Sequence, residues 1–450
     1  RFDRALPLRE GGPTADFSVT QLGFYAQDQF NLGNVALTVG LRWDSPNFPD
    51  SPTYNPTLDS ITSDGALWTG GTINTSIMPS GNATWSPRLG FNWDVDGEGM
   101  TIVRGGVGYF GGRPAYVWMS NAYANTGMAQ TQLTCRNDNA SALDDVPVFS
   151  LDPSQQPTTC GGGSGAVQAV PTINYFDSDF KFEQNMKLSL GIDHRLPWGM
   201  VGTIDLLYTQ TQNSLYIQDN NLQGVVDEST LTYATGEGNR ARYGVNSPTT
   251  GSATPLKQTA AFGNVLEHRN KSDDYAFNGT IQLQKRFSNG GEFNGGYTYS
   301  EAKDLMSLTS SIAFSNYGFA TLNGLLNDRD LTTSTFSRPH RVVLSGTVNL
   351  PADFEFSLIY SGVSGSPYGY VINGDANADG VGGTNREFND LVYVPRDRDD
   401  ITMFGTTPAA QNAAYDSLAT FIGSQECLRN QRGQIMERNS CQNPWINRMD

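Results

Sequence analysis

The 450-residue chain contains no run approaching the roughly 18–20 consecutive apolar residues that a membrane-crossing helix needs. Helical spans are therefore excluded. Spans built from strands, apolar on one face only, are not. Basic runs and stripes are also missing, and the formal net charge is -16. A polyphosphate partner needs a basic surface, so nucleic acid is excluded as a partner. Histidine is scarce, with only His194, His268 and His340. There is no CxxC, HExxH or GxSxG, and no nucleophile–base set can be read, so nothing supports an enzyme. No repeat of the solenoid kind is present.

What is present is glycine (49 residues), aromatics (11%) and a mean hydropathy of -0.40. Composition alone fits a large secreted β protein as well as a barrel. The pattern along the chain separates them. In residues 17–44, Val35, Leu37, Val39, Leu41 and Trp43 alternate with Ala36, Thr38, Gly40, Arg42 and Asp44. Successive side chains of a strand point to opposite faces, so one face is apolar and the other small or polar.

Five segments share this design as strand, tight turn, strand. They are expected at 18–30 with 35–44, 87–95 with 100–110, 182–195 with 200–209, 274–287 with 292–300, and 341–350 with 354–360. Leu89, Phe91, Trp93 and Val95 fall on one face of the second, and Met186, Leu188, Leu190 and Ile192 on one face of the third. Val342, Leu344, Gly346, Val348 and Leu350 do so in the fifth. Long connections rich in Asn, Ser, Thr, Gly and Asp separate the hairpins, at about 45–86, 111–181, 210–273, 301–340 and 361–447. Short turns alternating with long loops mark a transmembrane β-barrel, with the loops outside the cell. The expected fold is all-β: an antiparallel up-and-down barrel piece of about ten strands, entering an eleventh at its end. One segment departs from it. Ala409, Ala410, Ala413, Ala414, Leu418, Phe421 and Ile422 have helical spacing, which predicts a short loop helix within 408–429.

The chain starts at Arg1 with no signal peptide, which is expected of a piece of a longer precursor. Its four cysteines are Cys135, Cys160, Cys427 and Cys441. Each neighbouring pair falls within one predicted loop, and exported chains oxidise such pairs. Cys135–Cys160 and Cys427–Cys441 are favoured among three pairings.

Several stretches, in order, resemble the barrel portion of TonB-dependent outer-membrane receptors, specifically the Oar-like branch. They are Phe24-Tyr25-Ala26-Gln27-Asp28-Gln29-Phe30, Gly40-Leu41-Arg42-Trp43-Asp44 and Trp85-Ser86-Pro87-Arg88-Leu89-Gly90-Phe91. Arg338-Pro339-His340-Arg341 follows, then Arg432-Gly433, Glu437-Arg438-Asn439 and Pro444-Trp445. The resemblance implies a plugged barrel of the 22-stranded class, with uptake energised by TonB acting on the plug. The chain departs from it in lacking the plug, the regulatory-like domain, a TonB-contacting segment and the final strands. The implied partners are outer-membrane lipid, the plug and TonB complex through the missing part, and an external ligand that the sequence does not identify. A piece of such a barrel is expected as an open sheet with two unpaired edges.

The sharpest local motif is Asp375-Ala376-Asn377-Ala378-Asp379-Gly380. Oxygen side chains at Asp375, Asn377 and Asp379, glycine at the sixth position and the Val381 carbonyl match the start of a calcium loop. Arg386 stands where the twelfth-position Glu belongs, and Glu387 and Asp390 are out of register. Two readings stand: a Ca2+ site, or an Asx-rich turn. Gly106-Val107-Gly108-Tyr109-Phe110-Gly111 spells GxGxxG, but a loop containing Gly112-Arg113-Pro114 follows rather than a helix, so small residues on a crowded strand explain it better. His340 reads as a fixed strand start set by Pro339 rather than a ligand contact. His194 and His268 have no evident partners. Phe24, Trp43, Trp93, Trp198, Tyr208, Phe287, Tyr297 and Tyr360 read as an interface girdle rather than as sugar-stacking platforms.

The reading that results is a receptor or transporter barrel in the outer membrane of a Gram-negative bacterium. A cell-surface adhesion or export barrel is the first alternative. A secreted soluble glycan-binding β protein is the second, and it requires charged outward strand faces.

Overall fold

The structure, a computed structural model, describes residues 2–8, 15–61, 73–112, 115–135, 146–161, 168–225, 240–246, 253–352, 354–381, 388–401, 403 and 405–450. Its main body is one antiparallel sheet. The strands are β1 (Thr20–Leu32), β2 (Val35–Asn47), β3 (Thr84–Asp94), β4 (Thr101–Gly111), β5 (Gln184–Leu196) and β6 (Met200–Gln212). β7 (Tyr275–Arg286), β8 (Glu292–Asp304), β9 (His340–Leu350), β10 (Phe354–Val363) and the short β11 (Ile446–Met449) complete it. Each strand pairs with its successor, in the up-and-down order of a barrel wall, and β1 and β11 are the two open edges.

The five hairpins stand where alternation and turn residues place them. In the first, Gly33 has φ +59° at the turn, a conformation that a side chain disfavours. Gly290 (φ +83°) does the same in the fourth. Asp353, expected in the fifth turn, lies outside the described residues. At the loop end the strands outrun the sequence expectation, β2 to Asn47, β6 to Gln212 and β8 to Asp304. Those added residues are mostly polar and break the apolar alternation, so periodicity does not mark them. Their backbone pairing continues all the same.

The register creates two opposite faces. One cross-strand row runs Val35, Trp93, Val103, Ile192, Ile204, Ile281, Tyr297 and Val342. The adjacent row, pointing the other way, runs Ala36, Asn92, Arg104, Gly191, Asp205, Thr280, Thr298 and Arg341. Leu190 is 44% exposed, Ile281 61% and Val348 48%, so among the described residues no second layer covers the apolar face. A contiguous apolar surface of this extent needs hydrocarbon beside it. It also contradicts the charged outward face that a soluble glycan-binding protein requires.

Aromatic residues bracket that face. Trp43 and Trp85 pack at the loop end, 6.5 Å apart between ring centroids. Trp93 lies at the turn end of the same strand as Trp85. At about 3.3 Å per residue, their separation along β3 is about 26 Å, or roughly 20 Å across a membrane at ordinary barrel tilt. That suits an apolar band between two girdles.

The largest buried core lies in the long connections rather than in the sheet. Phe48 and Met78 come from the first connection, and Met119, Tyr123 and Phe176 from the second. Tyr216, Leu222 and Tyr243 come from the third, Leu305 and Tyr317 from the fourth, and Val381 from the fifth. A small mixed sheet threads this layer: Val265–Lys271 pairs antiparallel with Ser214–Asp219 and parallel with Ile173–Phe176. Two helices not expected from the sequence join it, α1 (Tyr116–Ala124) and α2 (Ala313–Phe319). The helix expected within 408–429 forms as α3 (Pro408–Ser424), followed by a turn of helix at Glu426–Arg429. Thr407 Oγ1 accepts from Ala410 N–H and Pro408 occupies the first turn, a capped start.

Candidate functional site

Two places bear polar side chains that packing alone does not account for. The first is the non-lipid face of the sheet. Arg104 on β4 reaches across β5 to Asp205 on β6, with Nη1–Oδ1 2.7 Å and Nη2–Oδ2 3.2 Å. Its Nε also lies 3.3 Å from Asp193 on β5. The reach requires that β5 carry no side chain at the crossing. Gly191 sits there, and a Cβ on it would run into the Arg104 guanidinium and Asp205 Oδ1. Thr203 Oγ1 donates to Asp193 Oδ1 at 2.7 Å, and the Thr280 and Thr298 hydroxyls bond each other at 2.9 Å. Ion pairs and hydroxyls at membrane depth are stable only where water or protein meets them, so this face is turned away from lipid.

Where this face meets the loop layer, a polar cleft of ≈350 Å³ opens between Gln21, Arg42, Asn82, Arg88 and Glu183. Arg42 is held by Asp44 through two bonds, Nε–Oδ2 at 2.7 Å and Nη2–Oδ1 at 2.6 Å.

The second place is the Asp375 loop within the fifth connection. Asp375 Oδ1 accepts from Asp379 N–H (3.1 Å) and its Oδ2 from Gly380 N–H (2.9 Å). Asn377 Oδ1 also accepts from Asp379 N–H, and Asp379 Oδ1 from Val381 N–H. Gly380 (φ +87°) permits the tight wrap. Asn377, Asp379, Val381 and Asn389 are each 0% exposed. Asp390 braces the loop, its Oδ2 accepting from Ala376 and Asn377 N–H while its Oδ1 pairs with Arg240 at 3.2 Å. Burial pushes the Asp379 carboxyl up to about 8, with Asp375 and Asp390 adding repulsion. Asp375 rises to about 6, again chiefly through burial. The structure thus brings Asp375, Asn377, Asp379 and Val381 into one loop. Arg386 and Glu387 lie outside the described residues.

All four cysteines are in the loop layer, as Cys135–Cys160 and Cys427–Cys441.

A family model described as an outer membrane beta barrel domain matches residues 8–450. The chain belongs to this outer-membrane β-barrel family. It is therefore a protein of the outer membrane. Among solved structures it is similar to the FrpB iron transporter of Neisseria meningitidis (13% identity, TM-score 0.38, covering 78% of this chain and 35% of that one). It is similar to the outer membrane transporter YddB of Escherichia coli (13%, TM-score 0.42, 82% and 45%). The siderophore receptor PirA of Acinetobacter baumannii gives 12%, TM-score 0.36, 77% and 42%. The chain spans less than half the length of these structures. No curated protein matches it.

In this outer-membrane barrel, His340 is a strand start, but not an isolated one. Its Nδ1 bonds the Tyr297 hydroxyl at 2.8 Å, and its ring stacks on Trp445 with an 8° interplanar angle. Both other histidines have partners, contrary to the sequence reading. His194 Nδ1 bonds Thr101 Oγ1 at 2.9 Å across the β4–β5 pair. His268 Nδ1 donates to the Tyr175 carbonyl at 3.1 Å inside the loop layer. These contacts join residues 93 positions apart, which local periodicity does not reveal. Gly106, Gly108 and Gly111 lie within β4, as expected of a crowded strand; Arg113 and Pro114 lie outside the described residues. Sequence reasoning also missed the Arg104 bridge. An arginine and an aspartate at matching alternation, with a glycine on the strand between, were the available signal.

Proposed function

We propose that the chain is the passage wall and outer loop layer of a TonB-dependent receptor of the Oar-like branch, and that it is a segment of a longer protein. In this reading the plug, the TonB contact and the remaining strands belong to the rest of that protein. The connections at 45–86, 111–181, 210–273, 301–340 and 361–447 face outward and meet the external ligand, whose identity is open. The observation that carries the reading is the two-faced sheet: the ion-paired row through Arg104, Gly191 and Asp205 backs directly on the apolar row through Val103, Ile192 and Ile204. Such a wall separates hydrocarbon from a polar lumen.

Among the described residues no cysteine is free, so single introduced thiols report cleanly. In whole cells, Ser345→Cys and Thr280→Cys should react with a water-soluble maleimide, and Leu344→Cys should not. Deleting tonB should lower the labelling, because an unenergised plug keeps the lumen closed. A reactive Leu344→Cys would remove the wall. Labelling indifferent to TonB would remove the energised uptake.

A second reading, a surface adhesion or export barrel, draws on the loop layer itself. A layer with its own buried core and two disulfides is a stiff external surface. Deletion of that layer abolishing surface attachment while sparing uptake would favour it.

A further inference from the structure

We propose that the loop at 375–381 is a calcium site. Its donors are the Asp375, Asn377 and Asp379 side chains, the Val381 carbonyl and the amide oxygen of Asn389. The inference is independent of the cargo and of TonB.

Asp379 is wholly buried, and the groups that bond its carboxylate are the Val381 N–H and two amides, Asn377 Nδ2 at 3.2 Å and Asn389 Nδ2 at 2.6 Å. Among the described residues no cation pairs with Asp379 or Asp375. Arg240 pairs with Asp390. Two buried carboxylates that repel each other without a counter-charge are costly to hold ionised.

Two further buried groups point to what completes the site. Asn389 is 0% exposed, and its Oδ1 has no hydrogen-bond partner although its amide lies against Asp379. A half-turn of that carboxamide exchanges oxygen for nitrogen beside the carboxylate, and the two ends of an amide are distinguished only by their partners. Beside an ionised Asp379 carboxylate, an amide oxygen needs a cation between them. The Tyr317 hydroxyl, also 0% exposed, has no partner either, and Asp379 is the charge that acts on it most. Orphan polar atoms of this kind call for an ion or water.

The donor chemistry selects the ion. Every donor is oxygen, from carboxylates, amides and a carbonyl, which suits a hard cation with a large and flexible shell. Among the described residues no three His, Cys, Asp or Glu side chains are grouped to hold a metal ion, so this site rests on two carboxylates together with amide and carbonyl oxygens. The shell falls short of the 6–8 oxygens calcium takes, and water must supply the rest. A route exists for both: Asn377 and Asp390 line a cleft of ≈300 Å³ with Arg240, Asn323 and Asp330. Gly380 permits the turn that brings Asp375 and Asp379 into one loop.

The test is equilibrium dialysis of the full-length detergent-purified protein against radioactive calcium after stripping with EDTA. Heat-dependent gel mobility monitors the fold. The expected result is about one ion per chain, weakened about tenfold or more in Asp379→Asn and Asn389→Leu and not displaced by equimolar magnesium, since second-shell and first-shell losses are of that order. EDTA should also expose the connection at 361–447 to protease, and calcium should protect it. If Asp379→Asn fails to fold, Asp375→Asn takes its place. Absence of stoichiometric binding to the folded wild type at millimolar calcium would overturn the proposal and leave a self-sufficient Asx turn. So would binding that both variants retain.

Discussion

Arg438 in the fifth connection bonds Asp304 at the loop end of β8, 134 residues earlier, with Nη2–Oδ1 2.5 Å. Its Nε also donates to Thr332 Oγ1 at 2.8 Å and its Nη1 to the Leu305 carbonyl at 3.3 Å. Arg438 is 3% exposed. One guanidinium therefore fastens the last connection to the fourth, at the place where the wall gives way to the loop layer. Removing it leaves the Asp304 carboxylate, the Thr332 hydroxyl and the carbonyl oxygens of Asp304, Leu305 and Thr332 short of a donor. Arg438→Met should cost about 3–5 kcal/mol, the range for breaking one side of a buried pair. A lowered thermal midpoint in detergent, with the heat-dependent gel shift of the strands retained, is the expected record. An unchanged midpoint would show that the fastening carries no weight.

The Arg104–Asp205 bridge predicts a sharper result one strand away. Gly191 leaves the space through which the guanidinium passes, so Gly191→Val should push Arg104 off Asp205 without touching the lipid face. Both groups are part-exposed, and such pairs contribute about 0–1 kcal/mol, so stability should barely change. What should change is the charge distribution facing the lumen. In planar bilayers, ion selectivity of any conductance through the wall should shift in Gly191→Val and in Asp205→Asn alike. If only Asp205→Asn shifts it, Gly191 is not what permits the bridge.

The wall was legible in the sequence because each of its strands must satisfy two solvents at once. Val35 through Trp43, and Met186 through Ile192, alternate with a period of two because lipid takes one side and polar groups the other. Turn residues such as Asn289-Gly290 then fix the ends. The loop layer was not legible. Core residues such as Phe48, Tyr243 and Tyr317 occur singly among polar or small neighbours, Met119 and Tyr216 sit in short apolar runs without a long alternation, and all come together only in three dimensions. The parallel pairing of Val265–His268 with Ile173–Phe176 joins two different connections, and nothing local announces it. The Asp375 loop stood between these extremes. Its spacing was visible in the chain, whereas the contributions of Asn389, Asp390 and Tyr317 required the fold. Arg438 was noticed only as part of a resemblance, and its work as a fastener appears once Asp304 is seen beside it.

The loop layer should respond to acid through His268. Its ring is fully buried, stacks on Phe176 at 4.7 Å and keeps Nε2 without a partner, so burial pushes its pKa down to about 4. The unfolded chain holds the ordinary value near 6.5. Between those values the unfolded state binds a proton that the folded state refuses, so stability falls as pH drops from about 6.5 to about 4, by roughly 3 kcal/mol at most. Burial raises Glu267 and Asp219, which act in the opposite sense and lose stability as pH rises. The difference between His268→Phe and wild type isolates the histidine. Thermal midpoints taken from pH 7 to pH 4 should converge or cross in that window. Parallel curves would mean that the ring does not titrate there.

The apolar face makes the most direct prediction about the membrane. Leu190 and Ser189 are neighbours on β5, pointing to opposite sides, and Leu190 pairs with Leu206 in the middle of the wall. An arginine at Leu190 must place its charge in hydrocarbon, at about 2–4 kcal/mol near the bilayer midplane. The same arginine at Ser189 faces the side where Arg104, Asp193 and Asp205 already lie. Both variants keep the backbone, the strand and the turn, so the comparison isolates which side meets lipid. Leu190→Arg should reduce the heat-shifted, folded species in outer-membrane fractions, and Ser189→Arg should leave it near wild type. A lysine pair at the same two positions should give a similar contrast, because the cost is one of burying charge and not of arginine's shape. Equal tolerance at both positions would mean that water reaches Leu190, and the sheet would then not be a membrane wall.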